Sequence, residues 1–172
     1  MKLHDDTLRL RALEPEDLPT LYHLENLEDL WLTTTTLAPY SRLNLLRYID
    51  SYQADPFSTG ELRLIIELHE GHIPVGIIDL YSVQVRHRRA CVGILIDPAH
   101  QRRGYARRAL ALLEGYCRTH LQLHQLLAAV PQTNHPSRAL FAAAGYRPIA
   151  TLPDYISTGT ALIPALILRR PL

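Results

Sequence analysis

A strand, a tight turn and the first turn of a helix follow one another in Ile94-Leu95-Ile96-Asp97-Pro98-Ala99-His100-Gln101-Arg102-Arg103-Gly104-Tyr105-Ala106. Pro98 lacks an amide hydrogen and therefore ends the strand, while Gly104 lets the backbone come close to a ligand. Apolar residues then recur at spacings of three and four, which is typical of a helix. They are Tyr105, Ala109, Leu112, Leu113 and Tyr116.

The start of this predicted helix is a candidate phosphate site. The first turn of a helix has unpaired amide groups and carries the positive end of the helix dipole, and both attract phosphate. The arginines near the glycine are Arg102, Arg103, Arg107 and Arg108. The sequence therefore predicts that a phosphate or pyrophosphate binds beside Gly104. The alternative interpretation is an arginine-rich helix start that only contacts solvent.

The composition predicts one domain over residues 1–172. Apolar residues make up 47% and charged residues 20% of the chain, and no segment reaches the ~20 uninterrupted apolar residues of a membrane helix. The first six residues lack an apolar signal region, so we expect a cytoplasmic protein without a membrane partner. Cys91 and Cys117 lack metal-type spacing and are predicted to be free thiols.

Charge is divided unevenly along the chain. Residues 1–62 contain eleven acidic and five basic residues, whereas residues 63–172 contain six acidic and thirteen basic ones. The acidic part suits a cationic amine and the basic part suits a polyanion. The arginines are dispersed and form no nucleic-acid motif, so nucleic acid is not an expected partner. The histidines show no metal spacing, and no metal is expected.

Hydrophobic periodicity predicts the order of the remaining elements. Strands are predicted over residues 7–13, 62–68, 73–81, 90–96, 125–130, 146–152 and 161–168. Helices are predicted over residues 15–25, from residue 41 to an end at residues 55–60, and over residues 104–120 and 136–144. Residues 26–41 stay unassigned. Short links between the three middle strands predict an antiparallel meander.

This order resembles the GCN5-related N-acetyltransferase (GNAT) superfamily along nearly the whole chain, and two motifs carry the resemblance. Gln101–Ala106 is similar to its Gln/Arg-x-x-Gly-x-Gly/Ala loop, and Asn134–Tyr146 is similar to its second motif, an Asn followed by a short helix and Gly-Phe/Tyr. The resemblance implies an α/β (α+β) GNAT fold, with a mixed central sheet of about seven strands and about four helices.

Looser patterns are similar to bacterial spermidine/diamine N-acetyltransferases. They are Leu8–Leu18, Val75–Leu80, His87–Ala90 and Ile94–Ile96. The resemblance implies acetyl-CoA as the donor and a primary amine as the acceptor, with a polyamine such as spermidine favoured, and it allows a homo-oligomer. Acetylation of protein N-termini or antibiotics is one alternative. A non-catalytic acyl-CoA sensor is another.

The resemblance also assigns the residues that hold acetyl-CoA. The backbone of residues 94–96 would pair with the pantetheine arm, the loop after it would hold the pyrophosphate, and Asn134 would reach the pantetheine or acetyl end. The full predicted set is Ile94, Leu95, Ile96, Gln101, Arg102, Arg103, Gly104, Tyr105, Ala106, Arg107, Asn134 and Phe141.

Acetyl transfer needs a group that accepts the amine's proton, and Asp79 is the leading candidate. It interrupts an apolar strand, on the same face as Ile77 and Tyr81, and by resemblance it matches an acidic residue of the polyamine enzymes. The alternatives are a solvent-facing carboxylate, a salt bridge with an arginine, or a residue that only binds the cationic substrate.

A proton for the departing thiolate is harder to assign. Many relatives carry a tyrosine where this chain has Phe141, and phenylalanine has no exchangeable proton. Tyr146 is the candidate catalytic donor that remains, with core packing as its alternative. Glu25, Glu28 and Asp29 are predicted, together with Asp79, to bind the cationic substrate; solvated carboxylates are the alternative.

Overall fold

A computed structural model describes residues 2–28 and 38–172. One sheet of seven strands runs through it in the order β1-β2-β3-β4-β5-β7-β6. The strands are β1 (Leu8–Arg11), β2 (Leu62–Leu68), β3 (Pro74–Gln84), β4 (Arg89–Ile96), β5 (Gln125–Pro131), β6 (Arg147–Ser157) and β7 (Leu162–Pro171). The described helices are α1 (Leu18–Glu25), α2 (Arg42–Ser51), α3 (Pro56–Thr59), α4 (Tyr105–Thr119) and α5 (His135–Ala143). None of them is long and apolar enough to cross a membrane.

The sheet is mixed because of a single parallel pair. Strands β1 to β4 form an antiparallel meander, and β7 pairs antiparallel with both β5 and β6. Within the described residues, β4 pairs in parallel with β5 only over residues 89–91, against residues 125–127. Its pairing with β3, in contrast, continues as far as Ile96. The second half of β4 therefore has a free edge toward β5.

Two hydrophobic cores lie on the two faces of the sheet, as expected from the alternation of side chains along strands. Helices α4 and α5 cover one face, where Leu110 and Phe141 pack in the same cluster as Ile78. Helices α1 and α2 cover the other face, where Leu24 packs in the same cluster as Ile77. Adjacent residues of β3 thus belong to different cores, and Asp79 lies on the face of α1 and α2.

The structure confirms the mixed α/β fold and the meander. One prediction was wrong: residues 55–60 do not simply end a helix but form α3, so the described chain has a fifth helix. Asp55 caps α3 by accepting hydrogen bonds from the amides of Phe57 and Ser58, and Gly60 ends it with φ of 77°. The last two strands are also longer than predicted. The end of β6 was missed because this strand is exposed and its sequence therefore shows only weak alternation.

Candidate active site

The loop before α4 opens the amides of that helix toward solvent. Asp97 caps the short 3-10 turn Pro98–His100 of this loop by accepting a hydrogen bond from the amide of Ala99 (2.9 Å). Gly104 follows with φ of 82° as the N-cap of α4, a left-handed conformation that glycine adopts without strain. Apart from Gly104 itself and its two chain neighbours, no heavy atom of residues 2–28 and 38–172 lies within 4 Å of the position that a Cβ of Gly104 would occupy. A ligand can therefore approach this backbone closely.

The same loop is fixed to the free edge of β4. The side-chain amide of Gln101 donates to the carbonyl oxygen of Ile96 (3.0 Å). This hydrogen bond holds the loop against the end of the strand. Ile94 and Leu95 are half-buried at this edge. An exposed strand edge pairs with extended amide-bearing chains, and a helix N-terminus binds phosphate. The strand edge fits the amide-bearing arm of coenzyme A, and the helix N-terminus that follows it fits the pyrophosphate.

The arginines of this loop and of the first turn of α4 have different environments. Arg102, Arg103 and Arg107 are exposed beside the N-terminus of α4. Arg108 is instead bound by the carboxylates of Asp5 (3.0 Å) and Asp6 (2.9 Å). The positive charge available to a phosphate thus comes from three arginines. The fourth, Arg108, connects α4 to the N-terminal segment.

Asp79 forms an ion pair with Arg63 of β2, its neighbour across the sheet. The guanidinium donates from Nε to Oδ1 (2.9 Å) and from Nη2 to Oδ2 (2.8 Å), and its Nη1 donates to Glu25 Oε1 (2.6 Å). The structure thus brings together two of the predicted substrate residues, Asp79 and Glu25, through an arginine that the sequence analysis did not single out. Glu28 is exposed, and Asp29 lies outside the described residues.

A cavity of about 180 Å³ opens beside this ion pair. Its polar and aromatic lining consists of Tyr48, Tyr52, Tyr81, Glu61, Arg63 and Asp79. Burial raises the pKa of Tyr48 and of Tyr81 to about 12, so these phenols remain neutral at physiological pH. We call this cavity the acceptor pocket. Tyr48 lies on α2 and Tyr52 directly follows its end; their i, i+4 spacing was the sequence signal that could have placed both rings on one side.

Helix α1 contacts both the acceptor pocket and the loop before α4. Glu25, at its end, accepts the hydrogen bond from Arg63. His23, on the same helix, lies with Nε2 3.3 Å from Asp97 Oδ2. The two regions therefore share one structural element.

Tyr146 lies in the core on the opposite face of the sheet from Asp79. Its ring packs edge-on against Phe141, with centroids 4.9 Å apart, and only 3% of the residue is exposed. Burial and the nearby Glu114 of α4 raise the pKa of Tyr146. The structure does not bring the two predicted catalytic residues together, and this environment favours the packing interpretation of Tyr146.

Asn134 caps α5, since its Oδ1 accepts a hydrogen bond from the amide of Ser137 (3.0 Å). This contact explains the residue as a helix cap, and its role toward the cofactor stays a prediction. In residues 2–28 and 38–172, no group of three or more potential metal-ligating side chains could hold a metal ion.

Residues 7–147 match the sequence model of the acetyltransferase (GNAT) domain. The chain belongs to this family. It is thus an N-acetyltransferase that uses acetyl-CoA. We call the open helix N-terminus and the free strand edge the donor site, as the candidate position for this cofactor. This GNAT domain is 28% identical over 139 residues to the spermidine N(1)-acetyltransferase of Vibrio cholerae, covering 81% of this chain and 78% of that protein. It is 29% identical over 143 residues to the enzyme of that name from Escherichia coli K12, covering 81% and 73%.

Solved structures show the same fold. The spermidine N-acetyltransferase from Vibrio cholerae in complex with CoA and spermine superposes with a TM-score of 0.84 at 24% identity, covering 97% of this chain and 96% of that one. A dodecameric structure of the Vibrio cholerae enzyme in an intermediate state gives a TM-score of 0.78 at 22% identity, covering 97% and 95%.

Proposed function

We propose that this GNAT domain acetylates a primary amine of a polyamine such as spermidine. The observation that carries the proposal is the charge and lining of the acceptor pocket. Among its lining residues, the carboxylates of Glu61 and Asp79 outnumber the guanidinium of Arg63, which also binds the carboxylate of Glu25. The pocket is therefore negative and favours an acceptor with several ammonium groups.

The tyrosines of the pocket suit the same acceptor. The faces of aromatic rings attract ammonium groups and also pack against methylene chains. A polyamine consists of these two parts in alternation, so the rings of Tyr48, Tyr52 and Tyr81 complement both. The similarity to proteins named spermidine N(1)-acetyltransferase supports this choice of acceptor.

On the donor side, the chain's contribution is binding and orientation. When bound, acetyl-CoA supplies an acetyl group activated as a thioester. The residues that would hold it are the edge of Ile94–Ile96 and the loop Gln101–Arg107, with Gly104 against the pyrophosphate. Arg102, Arg103 and Arg107 would add positive charge at the exposed end of the site.

On the acceptor side, we assign Asp79 to receive the amine's proton, directly or through a water molecule. Each of its oxygens already accepts one hydrogen bond from Arg63 and keeps a further lone pair for a second donor. Phe141 carries no exchangeable proton, and the hydroxyl of Tyr146 is buried. The corner between α5 and β6 therefore presents no exposed phenol as an acid.

The test is an acceptor screen with purified protein and acetyl-CoA. We expect free CoA to be released with spermidine, and mass spectrometry to find monoacetylated product. Monoamines of similar length, peptides with free N-termini and aminoglycosides form the comparison panel. Preferred turnover of a peptide or an aminoglycoside would replace the polyamine assignment. Tight CoA binding without turnover of any amine would instead support a sensor.

We also propose that the protein works as a homo-oligomer. β6 is one of the two edge strands of the described sheet, and the hairpin β6–β7 exposes Ile149, Tyr155 and Leu162. Exposed edges and apolar patches of this kind are usually covered by another chain. Light scattering coupled to gel filtration measures the assembly, and a monomer at micromolar concentration would contradict the proposal.

A further inference from the structure

Arg63 connects the elements that surround the acceptor pocket. It lies on β2 and binds Asp79 of β3 with two hydrogen bonds and Glu25 of α1 with a third. The ring of Tyr48, on α2, lies with its centroid 5.6 Å from the guanidinium carbon. One side chain thus fixes two strands and two helices relative to each other at the pocket.

This arrangement depends on a charged and planar group. Burial opposes the charge of Arg63, but the carboxylates of Asp79 and Glu25 outweigh it and raise the pKa of the guanidinium. The side chains of Arg63 and Asp79 are 21% and 25% exposed, so water screens their ion pair only partly. A guanidinium holds a carboxylate through two parallel hydrogen bonds, whereas a lysine ammonium is a point charge that cannot fix its orientation.

We propose that Arg63 is a positioning residue for acetyl transfer and acts through Asp79, an inference that rests on the proposed function. With each oxygen of Asp79 held by one hydrogen bond, the remaining lone pairs have fixed directions, and one of them is available to the acceptor's nitrogen. A second cation beside Asp79 would be repelled by the guanidinium. The nitrogen favoured at this position is therefore a neutral amine, the form that can attack a thioester.

A double-mutant cycle tests this coupling. Arg63→Lys keeps the charge but loses the two parallel bonds, and we expect kcat for spermidine to fall ~10- to 100-fold, as for a misaligned reacting group. The affinity for CoA should stay unchanged, because Arg63 does not belong to the donor site. The double variant Arg63→Lys, Asp79→Asn should be no slower than Asp79→Asn alone, since the two substitutions remove the same function.

Arg11→Lys is the matched control. Arg11 also binds an aspartate through two hydrogen bonds, to Asp17 (2.7 Å each), away from the acceptor pocket. If Arg63 served only to stabilise the fold, both lysine variants would unfold more easily and both would keep the wild-type kcat per folded molecule. We expect the control to keep kcat and Arg63→Lys to lose it.

A second variant covers the case in which Arg63→Lys does not fold. Glu25→Gln weakens one of the three hydrogen bonds of Arg63 and should lower kcat by less than Arg63→Lys does. Combined with Asp79→Asn, it should cause no further loss of kcat. Multiplicative losses in the double variants, or a wild-type kcat in both single variants, would overturn the role of Arg63 while the enzyme remains active. Absence of spermidine turnover in the wild-type protein would overturn the proposed function itself.

Discussion

The donor site and the acceptor pocket are built from different parts of the chain. At the donor site, the groups that we propose to face the ligand are backbone amides at Gly104 and at the edge of Ile94–Ile96. In the acceptor pocket, the groups are side chains, with Arg63 and Asp79 from neighbouring strands at the centre. A backbone site depends on local conformation, which a few adjacent residues determine. A side-chain site depends on strand register and helix packing, so single substitutions can change its charge without changing the fold.

Gly104→Val tests the donor half of this contrast and should have the largest effect. Valine is strained at a positive φ and places a branched side chain where the pyrophosphate would lie. We expect the affinity for CoA, measured by calorimetry, to fall about 1000-fold, the scale of two or three lost hydrogen bonds to a charged group.

Gly159→Val is the control for this substitution. Gly159 has φ of 83° and, as at Gly104, no heavy atom of the described part of the chain beyond its two neighbours lies within 4 Å of the position of an added Cβ. The backbone strain is therefore comparable, but Gly159 lies in the turn between β6 and β7. Equal affinity for CoA in Gly104→Val and Gly159→Val would contradict the assignment of the pyrophosphate site.

Asp79→Asn tests the acceptor half. Asparagine keeps the size of the side chain but cannot take up the amine's proton at neutral pH, so we expect kcat to fall ~100-fold, the range of general base catalysis. The dissociation constant of CoA should not change. Asp154→Asn, an exposed position on β6, is the control, and turnover of Asp79→Asn at the wild-type rate would remove Asp79 from the chemistry.

Tyr48→Leu should have a smaller effect, confined to binding of the acceptor. Loss of a ring that faces an ammonium costs about 0.5–1 kcal/mol at a partly exposed site. We expect KM for spermidine to rise about 2- to 5-fold while kcat changes little. Phe57→Leu, at an exposed ring on α3, should leave both constants unchanged. A fall in kcat with constant KM would instead place Tyr48 in the chemical step.

Glu67→Gln should affect neither site at neutral pH, only the stability of the sheet. Burial would raise the pKa of Glu67, but hydrogen bonds from Arg11, Arg9 and His72 lower it to about 2 from an ordinary value of 4.5. The carboxylate therefore stabilises the folded state fully above pH 4.5, and this contribution is lost as the pH falls toward 2.

Denaturant unfolding at several pH values measures this effect. We expect the free energy of unfolding of the wild-type protein to decrease through this acidic range, and Glu67→Gln to show a lower value at neutral pH with a weaker dependence on acid. Glu70→Gln, at an exposed carboxylate, is the control. Parallel pH curves for the wild-type protein and Glu67→Gln would contradict this account.

The contrast between the two sites also explains what the sequence could predict. The turn at Pro98, the glycine at Gly104 and the helical spacing after it are local signals, and the structure places them at the free strand edge and open helix end that the motif implied. The three middle strands were also predictable from the sequence, because continuous apolar runs rich in isoleucine and valine are typical of buried strands. The short helix α3 was missed because its four residues are too few to show a period.

The acceptor pocket was only partly predictable. Asp79 stood out because a carboxylate interrupts an apolar strand, but its partner Arg63 became visible only from the register of β2 against β3. For Tyr146, in contrast, the sequence suggested a catalytic role that its environment does not favour. Its hydroxyl suggested chemistry, whereas the packing against Phe141 and the burial on the far face of the sheet depend on tertiary contacts that no local pattern contains.

The eight residues of α1 also connect the binding of one substrate to the binding of the other. The helix contacts the donor loop through His23 and Asp97 (3.3 Å) and the acceptor pocket through Glu25 and Arg63 (2.6 Å). A shift of Asp97 when the donor binds would move the same rigid helix that carries Glu25. Helix α1 therefore gives the two regions a shared path through which a ligand at one can change the affinity of the other, and such coupling is reciprocal.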